Sequence, residues 1–279
     1  MPALPEGDAP DLIVVPARFA SQRLPGKPLI PIAGRTLLER VVAVAREGAR
    51  RVGNADVVVA TDDARILDHA RNLGCDAIVT DAAISSGSGR AWAVARDRTI
   101  APSLVVNLQG DAPFVQPATI AALIEALRAS PFGVATPVVR LSWAALDTLR
   151  QHKQTSPFSG TTCARRADGR ALWFSKAVIP AIRGEAQLRE SGPLSPVFRH
   201  IGVYAYRFEA LERFEGTAPT PYESLEGLEQ LRFLESGEDI LTVDVAGLPH
   251  VMSGIDTAAD VAMAESLIAD HGEPHLSWT

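Results

Sequence analysis

Short runs of apolar, β-branched residues recur along this chain, and segments of helical period lie between them. Leu12-Ile13-Val14-Val15 is the first run; Asp56–Ala60, Leu104–Leu108, Val134–Val139 and Ile240–Val245 follow. Runs apolar on every residue suit strands buried on both faces, as in a parallel sheet. The intervening segments Thr36–Ala49, Ala64–Asn72 and Pro117–Ala129 read as helices, the last entered through Gln116-Pro117. Strand and helix in alternation predict a layered α/β fold with right-handed crossovers.

The rhythm breaks in the second half. Between about Thr155 and Thr220 lie Pro, Gly and Ser clusters with one antiparallel strand pattern, Val203–Arg207. Helical pattern returns at Ser224–Ser236 and Thr257–Ala269. The simplest organisation is a flexible lead-in over residues 1–10 and a single domain over 11–279, with a smaller lobe inserted at about 155–220. A chain of 279 residues with 47% hydrophobic and 22% charged residues is long enough to bury its own core without disulfides or metal.

Composition excludes several classes of function. The net charge of −6 disfavours nucleic acid as a partner, because neutralising phosphates along a duplex needs a basic face. No apolar run approaches the roughly 18 residues that a membrane span needs, so a membrane partner is not expected. Cys75 and Cys163 fit no metal or redox spacing. The N-terminus carries Glu6, Asp8 and Asp11 and lacks the basic and apolar regions of a secretion signal, which predicts a cytoplasmic protein.

The loop after the first strand concentrates cationic chemistry. It reads Pro16-Ala-Arg-Phe-Ala-Ser-Gln-Arg-Leu-Pro-Gly-Lys-Pro28 and holds Arg18, Arg23 and Lys27. The carboxyl end of a strand is where open α/β sheets bind ligands. Arginine can grip phosphate oxygens in a fork, and lysine acts as a point charge. A solvated basic loop would have the same composition. Gly26-Lys27 continues into Pro28, so this is no Walker A loop; Gly87-Ser88-Gly89 lacks the third glycine of a dinucleotide fingerprint. Leu104–Leu108 runs into Gln109-Gly110-Asp111, which places a carboxylate just beyond a strand end. Such a carboxylate suits Mg²⁺ held together with substrate phosphates, or a simple turn. Asp256 precedes a helical pattern and by local sequence alone is a helix N-cap.

In this order the motifs resemble the 3-deoxy-manno-octulosonate (Kdo) cytidylyltransferase family. The loop 16–28 carries most of the likeness. Val58-Val-Ala-Thr-Asp62, Asn107-Leu-Gln-Gly-Asp111, Phe174-Ser175, Ile179-Pro180, Arg199-His-Ile-Gly202, Leu228-Glu-Gln-Leu-Arg232 and Gly254-Ile-Asp-Thr257 extend it over roughly residues 11–270. The resemblance implies a Rossmann-like nucleotide-diphospho-sugar transferase fold with an inserted dimerisation lobe. It implies a homodimer that joins CTP to an acidic eight-carbon sugar, releases pyrophosphate and feeds lipopolysaccharide assembly. It assigns Arg18, Arg23 and Lys27 to the CTP phosphates, with Arg18, Lys27 and Asp111 as the catalytic set. Ser86 and Arg90 fall on the nucleotide side. Gln109, Lys176, His200, Glu229 and Gln230 fall on the sugar side. Asp111 and Asp256 would hold Mg²⁺.

Read without the resemblance, His200, Glu229 and Gln230 are structural. Several positions depart from the family pattern. Ser86-Gly-Ser-Gly-Arg90 replaces Ser-Gly-Thr-Glu-Arg, so Gly89 stands for a glutamate. Ile84-Ser85 replaces His-Gln, and Ala112 replaces a glutamate. Lys176 replaces an arginine, and Thr162 stands where a lysine is expected. The phosphate and metal positions are intact while sugar and base contacts are altered. Two alternatives therefore stand beside Kdo transfer: an enzyme of the same fold with another acceptor, and a non-catalytic nucleotide-binding relative.

Overall fold

The computed structural model describes residues 9–20, 24–247 and 254–276. Strands β1 (Asp11–Ala17), β2 (Pro31–Ile32) and β3 (Arg35–Thr36) lead into helix α1 (Leu37–Val52). Then come β4 (Ala55–Thr61), α2 (Ala64–Asn72), β5 (Asp76–Val79), α3 (Gly87–Arg96), β6 (Leu104–Leu108), α4 (Pro117–Arg128) and β7 (Val134–Ser142). The second half holds α5 (Trp143–Thr155), β8 (Thr161–Arg165), β9 (Ala171–Ser175), α6 (Glu185–Ser191), β10 (Leu194–His200) and β11 (Val203–Arg207). Helices α7 (Phe208–Glu215), α8 (Pro221–Glu226) and α9 (Gln230–Glu235), strand β12 (Ile240–Asp244) and helix α10 (Ala258–His271) complete the order.

One large sheet runs β5-β4-β1-β6-β11-β7-β10-β8-β9, with β12 also paired to β7. Strands β5, β4, β1 and β6 are mutually parallel. Strand β11 lies antiparallel between β6 and β7, and β12 runs parallel to β7. The expected α/β class therefore holds. The central strands are those read from the sequence, since β1 and β6 are buried at every residue. Burial on both faces is why these strands are almost wholly apolar, with Asp11 and Asn107 as the polar exceptions.

Each face of the sheet carries its own core. One core packs α1, α2 and α4 on Ile13, Val15, Val59, Val106 and Leu108. The other packs α3, α7 and α9 on Leu12, Val14, Val58, Val105 and Tyr206. Successive residues of β1 thus alternate between the two cores, as the pleat requires. The one charge in that strand, Asp11, is fully buried and paired with Arg128 at 2.6 Å. Burial pushes its carboxyl up, and the Arg128 charge opposes the rise.

Two segments differ from the sequence reading. Ser224–Ser236, read as one helix, is two short helices, α8 and α9, separated at Gly227. Gly227 ends α8 in the left-handed conformation (φ 62°), which a side chain disfavours and which turns the chain. The irregular segment 155–220 contains β8, β9 and β10. These extend the main sheet because β10 pairs with β7 and β8 with β10. Their burial alternates imperfectly, so the periodicity was too weak to mark them. The lead-in 1–10 lies outside the described residues except at positions 9 and 10. Among the described residues no helix is long and apolar enough to cross a membrane.

Candidate active site

Three segments distant in sequence meet beyond the carboxyl ends of β1 and β6. Lys27 opens a single 3-10 turn that closes the basic loop. Its Nζ donates to Asp111 Oδ2 at 2.6 Å and to Asp256 Oδ1 at 3.0 Å. Local spacing could not show that the two carboxylates meet, and the tertiary fold puts them on one ammonium. Burial pushes the Lys27 ammonium down, but Asp111 and Asp256 raise it by more, so it stays charged. The backbone also joins the two carboxylate segments, with Ile255 N–H donating to Asp111 O at 3.0 Å.

The helix-cap reading of Asp256 does not hold. Thr257 is the N-cap of α10; its hydroxyl accepts from Asp260 N–H, and Asp260 reaches back in a capping box. The cap is provided one residue later, so the Asp256 side chain is turned to Lys27 instead.

Gly110 sets how closely these segments approach. A Cβ built there would lie 2.3 Å from the Pro16 carbonyl oxygen, far inside contact distance. The turn after β6 thus presses directly on the end of β1, which brings Asp111 beside the basic loop.

The other expected residues divide into surface and supporting groups. Arg18 is partly exposed; its Nη1 donates to Ser85 O at 3.1 Å, and its Nε lies 3.6 Å from Asp62 Oδ2. Arg23 lies outside the described residues. Arg90, expected to touch nucleotide, is fully buried instead. Its guanidinium donates to Thr80 Oγ1, to Asp62 Oδ2 at 2.6 Å and to Ile84 O at 3.0 Å. Desolvation lowers its pKa, and Asp62 opposes that shift. A guanidinium so enclosed holds the loop 80–86 from beneath. Asp62 links it to Arg18, a contact that the motif reading did not use. Its place just beyond the end of β4 was the available signal.

Ser86 is the N-cap of α3, its hydroxyl accepting from Gly89 N–H at 2.9 Å. The departures at 84 and 89 turn out to be one packing event. A Cβ on Gly89 would lie 2.8 Å from Ser86 Oγ, 2.9 Å from Ile84 Cγ2 and 3.2 Å from Glu215 Oε2. Ile84 and Glu215 crowd the place where a glutamate side chain would begin.

Among the residues that the resemblance assigns to the sugar, Gln109 Nε2 contacts Asn107 Oδ1 at 3.4 Å, and Glu229 Oε2 accepts from Ser88 Oγ at 2.6 Å. Glu229 therefore adjoins the first turn of α3. Gln230 is buried beneath, its Nε2 without a hydrogen-bond partner among the described residues. Lys176 is half-buried at the end of β9; burial lowers its ammonium pKa, and Glu226 opposes that shift.

His200 is buried, with Nε2 2.9 Å from Thr136 Oγ1 and its ring packed on Phe174 and Tyr204. Burial first, and the Lys176 charge second, lower its pKa to about 3. It is neutral at physiological pH, which fits the structural reading and excludes it as a proton carrier there. The linkage sign is definite. Between about 6.5 and 3 the unfolded chain binds the His200 proton and the native chain does not, so stability falls as pH drops below about 6.5. This one group contributes a slope of about 1.4 kcal/mol per pH unit. Urea unfolding of wild type and His200→Gln at pH 7 and pH 5 is expected to show wild type losing more stability over that interval than the variant, by about that slope. Equal slopes would remove the assignment.

The geometry for a divalent cation can be tested on Lys27 itself. One oxygen of each carboxylate converges on its ammonium, so both can face a single cation. Among the described residues no cluster of three or more His, Cys, Asp or Glu is placed to hold a metal alone. Two hard carboxylate oxygens fit Mg²⁺ when phosphates and water complete its shell.

Known proteins resemble this chain over most of its length. A cytidylyltransferase family model matches residues 12–240. The 3-deoxy-manno-octulosonate cytidylyltransferase of Maricaulis maris is 38% identical over 94% of this chain and 98% of its own length. The chain belongs to the 3-deoxy-manno-octulosonate cytidylyltransferase family. The Methylococcus capsulatus member is 42% identical over 90% of this chain and 94% of its own. A solved structure of CMP:2-keto-3-deoxy-manno-octonic acid synthetase complexed with CTP superposes with TM-score 0.79 at 31% identity, covering 94% of this chain and 99% of that one. A putative glucose-1-phosphate thymidylyltransferase from Bacillus anthracis, at 13% identity and TM-score 0.60, shares the fold. The family resemblance read from the motifs is thus confirmed, and with it the Rossmann-like nucleotide-sugar transferase fold.

Proposed function

We propose that this chain is a cytidylyltransferase that joins CTP to 3-deoxy-manno-octulosonate, giving CMP-Kdo and pyrophosphate. The observation that carries the reading is the convergence of Lys27, Asp111 and Asp256 from segments 84 and 229 residues apart. In the reaction the anomeric hydroxyl oxygen bonds to the α-phosphorus of CTP. The bond from that phosphorus to the bridging oxygen breaks, pyrophosphate leaves and the hydroxyl proton is released. Such transfer requires positioning and charge neutralisation above all.

The chain's own groups divide these tasks. Arg18 and Lys27, with Arg23, hold the β- and γ-phosphates and offset the charge that builds on the leaving group. Ser86 and the start of α3 lie on the nucleotide side, supported by buried Arg90. Gln109 and Glu229 bind acceptor hydroxyls, and Lys176 faces the acceptor carboxylate. His200 and Gln230 support this side from beneath. Asp111 and Asp256 would hold Mg²⁺, which when bound screens phosphate charge and lowers the pKa of the attacking hydroxyl.

A homodimer belongs to the same reading. Exposed Phe158, Leu172, Leu194, Tyr222 and Leu225 between β7 and α9 support it, as apolar surface of the kind subunits bury. A cytoplasmic location and use of the product in lipopolysaccharide assembly are further parts of this proposal.

The test is pyrophosphate release from CTP with Kdo and a panel of other 2-ulosonic acids, with Mg²⁺ and with excess EDTA. Release with Kdo that EDTA abolishes and added Mg²⁺ restores is the expected result. Full activity in EDTA would remove the metal from the reading; release only with another acid would change the acceptor.

A further inference from the structure

The chain just beyond β9 is fastened by hydrogen bonds at several peptide groups between Lys176 and Ile179. Glu226 accepts from Ser175 Oγ at 2.7 Å and from Lys176 N–H at 2.7 Å. Ser175 Oγ accepts from Ala177 N–H at 2.9 Å. Thr162 Oγ1 donates to Ala177 O at 2.8 Å and accepts from Ile179 N–H at 3.0 Å. The carbonyl of Lys176 accepts from Lys153 Nζ at 2.6 Å.

Lys153 comes from α5, outside the motifs and outside the catalytic set. Its ammonium sits among four backbone carbonyls: Pro157 at 3.3 Å, Ser159 at 2.5 Å, Gly160 at 2.9 Å and Lys176. An ammonium has three protons and no acceptor capacity, so these carbonyls use all of its donors. Lys153 is therefore committed to backbone and is not itself available to a ligand. Lys176 is the opposite case. Its peptide is bound on both sides, while among the described residues its ammonium has no hydrogen-bonded carboxylate. The chain has only three lysines, at 27, 153 and 176. One is at the catalytic carboxylates, and the other two are joined by this single hydrogen bond.

We infer that Lys153 and Glu226 are positioning residues, which clamp the Lys176 peptide from its carbonyl and amide sides so that the Lys176 ammonium is held toward the carboxylate of the acceptor acid. The inference rests on the reading that Lys176 faces that carboxylate. It also gives a place to Thr162, where a lysine was expected. Thr162 fastens the next peptide, and the cation in this layer is supplied from α5.

Steady-state kinetics of Lys153→Met, Lys176→Met and the double variant, with CTP and Kdo varied separately, tests it. Lys153→Met is expected to raise KM for the acid about tenfold, equivalent to about 1.4 kcal/mol, and to leave KM for CTP nearly unchanged. Because Lys153 acts through Lys176, the double variant should have the same KM for the acid as Lys176→Met alone. If Lys153→Met fails to fold, Glu226→Gln takes its place in the same cycle. Three outcomes overturn the inference. An unchanged KM for the acid in Lys153→Met while Lys176→Met raises it would show that the clamp is irrelevant. Equal loss for both substrates, or full additivity, would show a merely structural role. An unchanged KM for the acid in Lys176→Met would remove the reading of Lys176 itself, and the inference with it.

Discussion

Asp111→Asn is expected to fold normally and to lose turnover by about 10²–10³-fold or more, the loss seen when a preorganised charge at a reacting centre is removed. The carboxylate is one-third exposed and bonds Lys27, so it bears little on the core. The amide keeps the size of the side chain and removes its charge. Lys27 keeps Asp256 as a partner at 3.0 Å. Thermal unfolding should therefore stay near that of wild type while pyrophosphate release from CTP and Kdo collapses. Asp256→Asn should do the same, since the α10 cap belongs to Thr257 and is untouched. Near wild-type turnover in Asp111→Asn would remove Asp111 from the catalytic set.

Gly110→Ala tests the same site through the backbone. The added methyl would meet the Pro16 carbonyl at 2.3 Å and Ala17 Cα at 3.5 Å. Both belong to β1, at the centre of the sheet, so neither yields as a flexible side chain would. Separating the strand ends is expected to cost about 3 kcal/mol, at the upper end of overpacking effects. For a domain of this size that lowers the melting temperature by roughly 6–12 °C. The same shift moves Asp111 away from the loop bearing Arg18 and Lys27. Activity per folded molecule should fall too, because misplacement by about 1 Å can cost about a hundredfold. Gly254→Ala is the control. A methyl there would lie 3.4 Å from Asp111 O, an ordinary contact, and should change stability by less than about 1 kcal/mol. Wild-type stability in Gly110→Ala would mean that the β1 and β6 ends are not so closely pressed.

Much of the central sheet was legible. Strands β1, β4 and β6 declared themselves through continuous apolar runs, and α2 matches its sequence reading to the residue. Gly227 was visible as a residue, but its effect depended on how α8 and α9 pack, so one helix was read where two exist. Strands β8 and β10 carry polar residues on partly exposed faces and resemble loop in composition. In the site, the loop 16–28 was legible because its chemistry is local: three cations, three prolines and a glycine within one short segment. Arg90 was assigned by its motif to a ligand surface, but its burial against Asp62 and Thr80 is a tertiary fact.

The sequence by itself determined the α/β class, the order of the central strands along the chain, the basic loop and the family. Each is written in short-range pattern, where apolar runs report burial and clustered side chains report local chemistry. Only the tertiary structure decided that Asp111 and Asp256 share Lys27, that Asp256 is not a cap, and that Arg90 supports from within. It also decided that Ile84 and Glu215 close the space left at Gly89, and that Lys153 reaches Lys176. The physical reason is that most of these are contacts between segments far apart in sequence. They follow from which strands are neighbours in the sheet and how closely their ends approach, and no local periodicity encodes that.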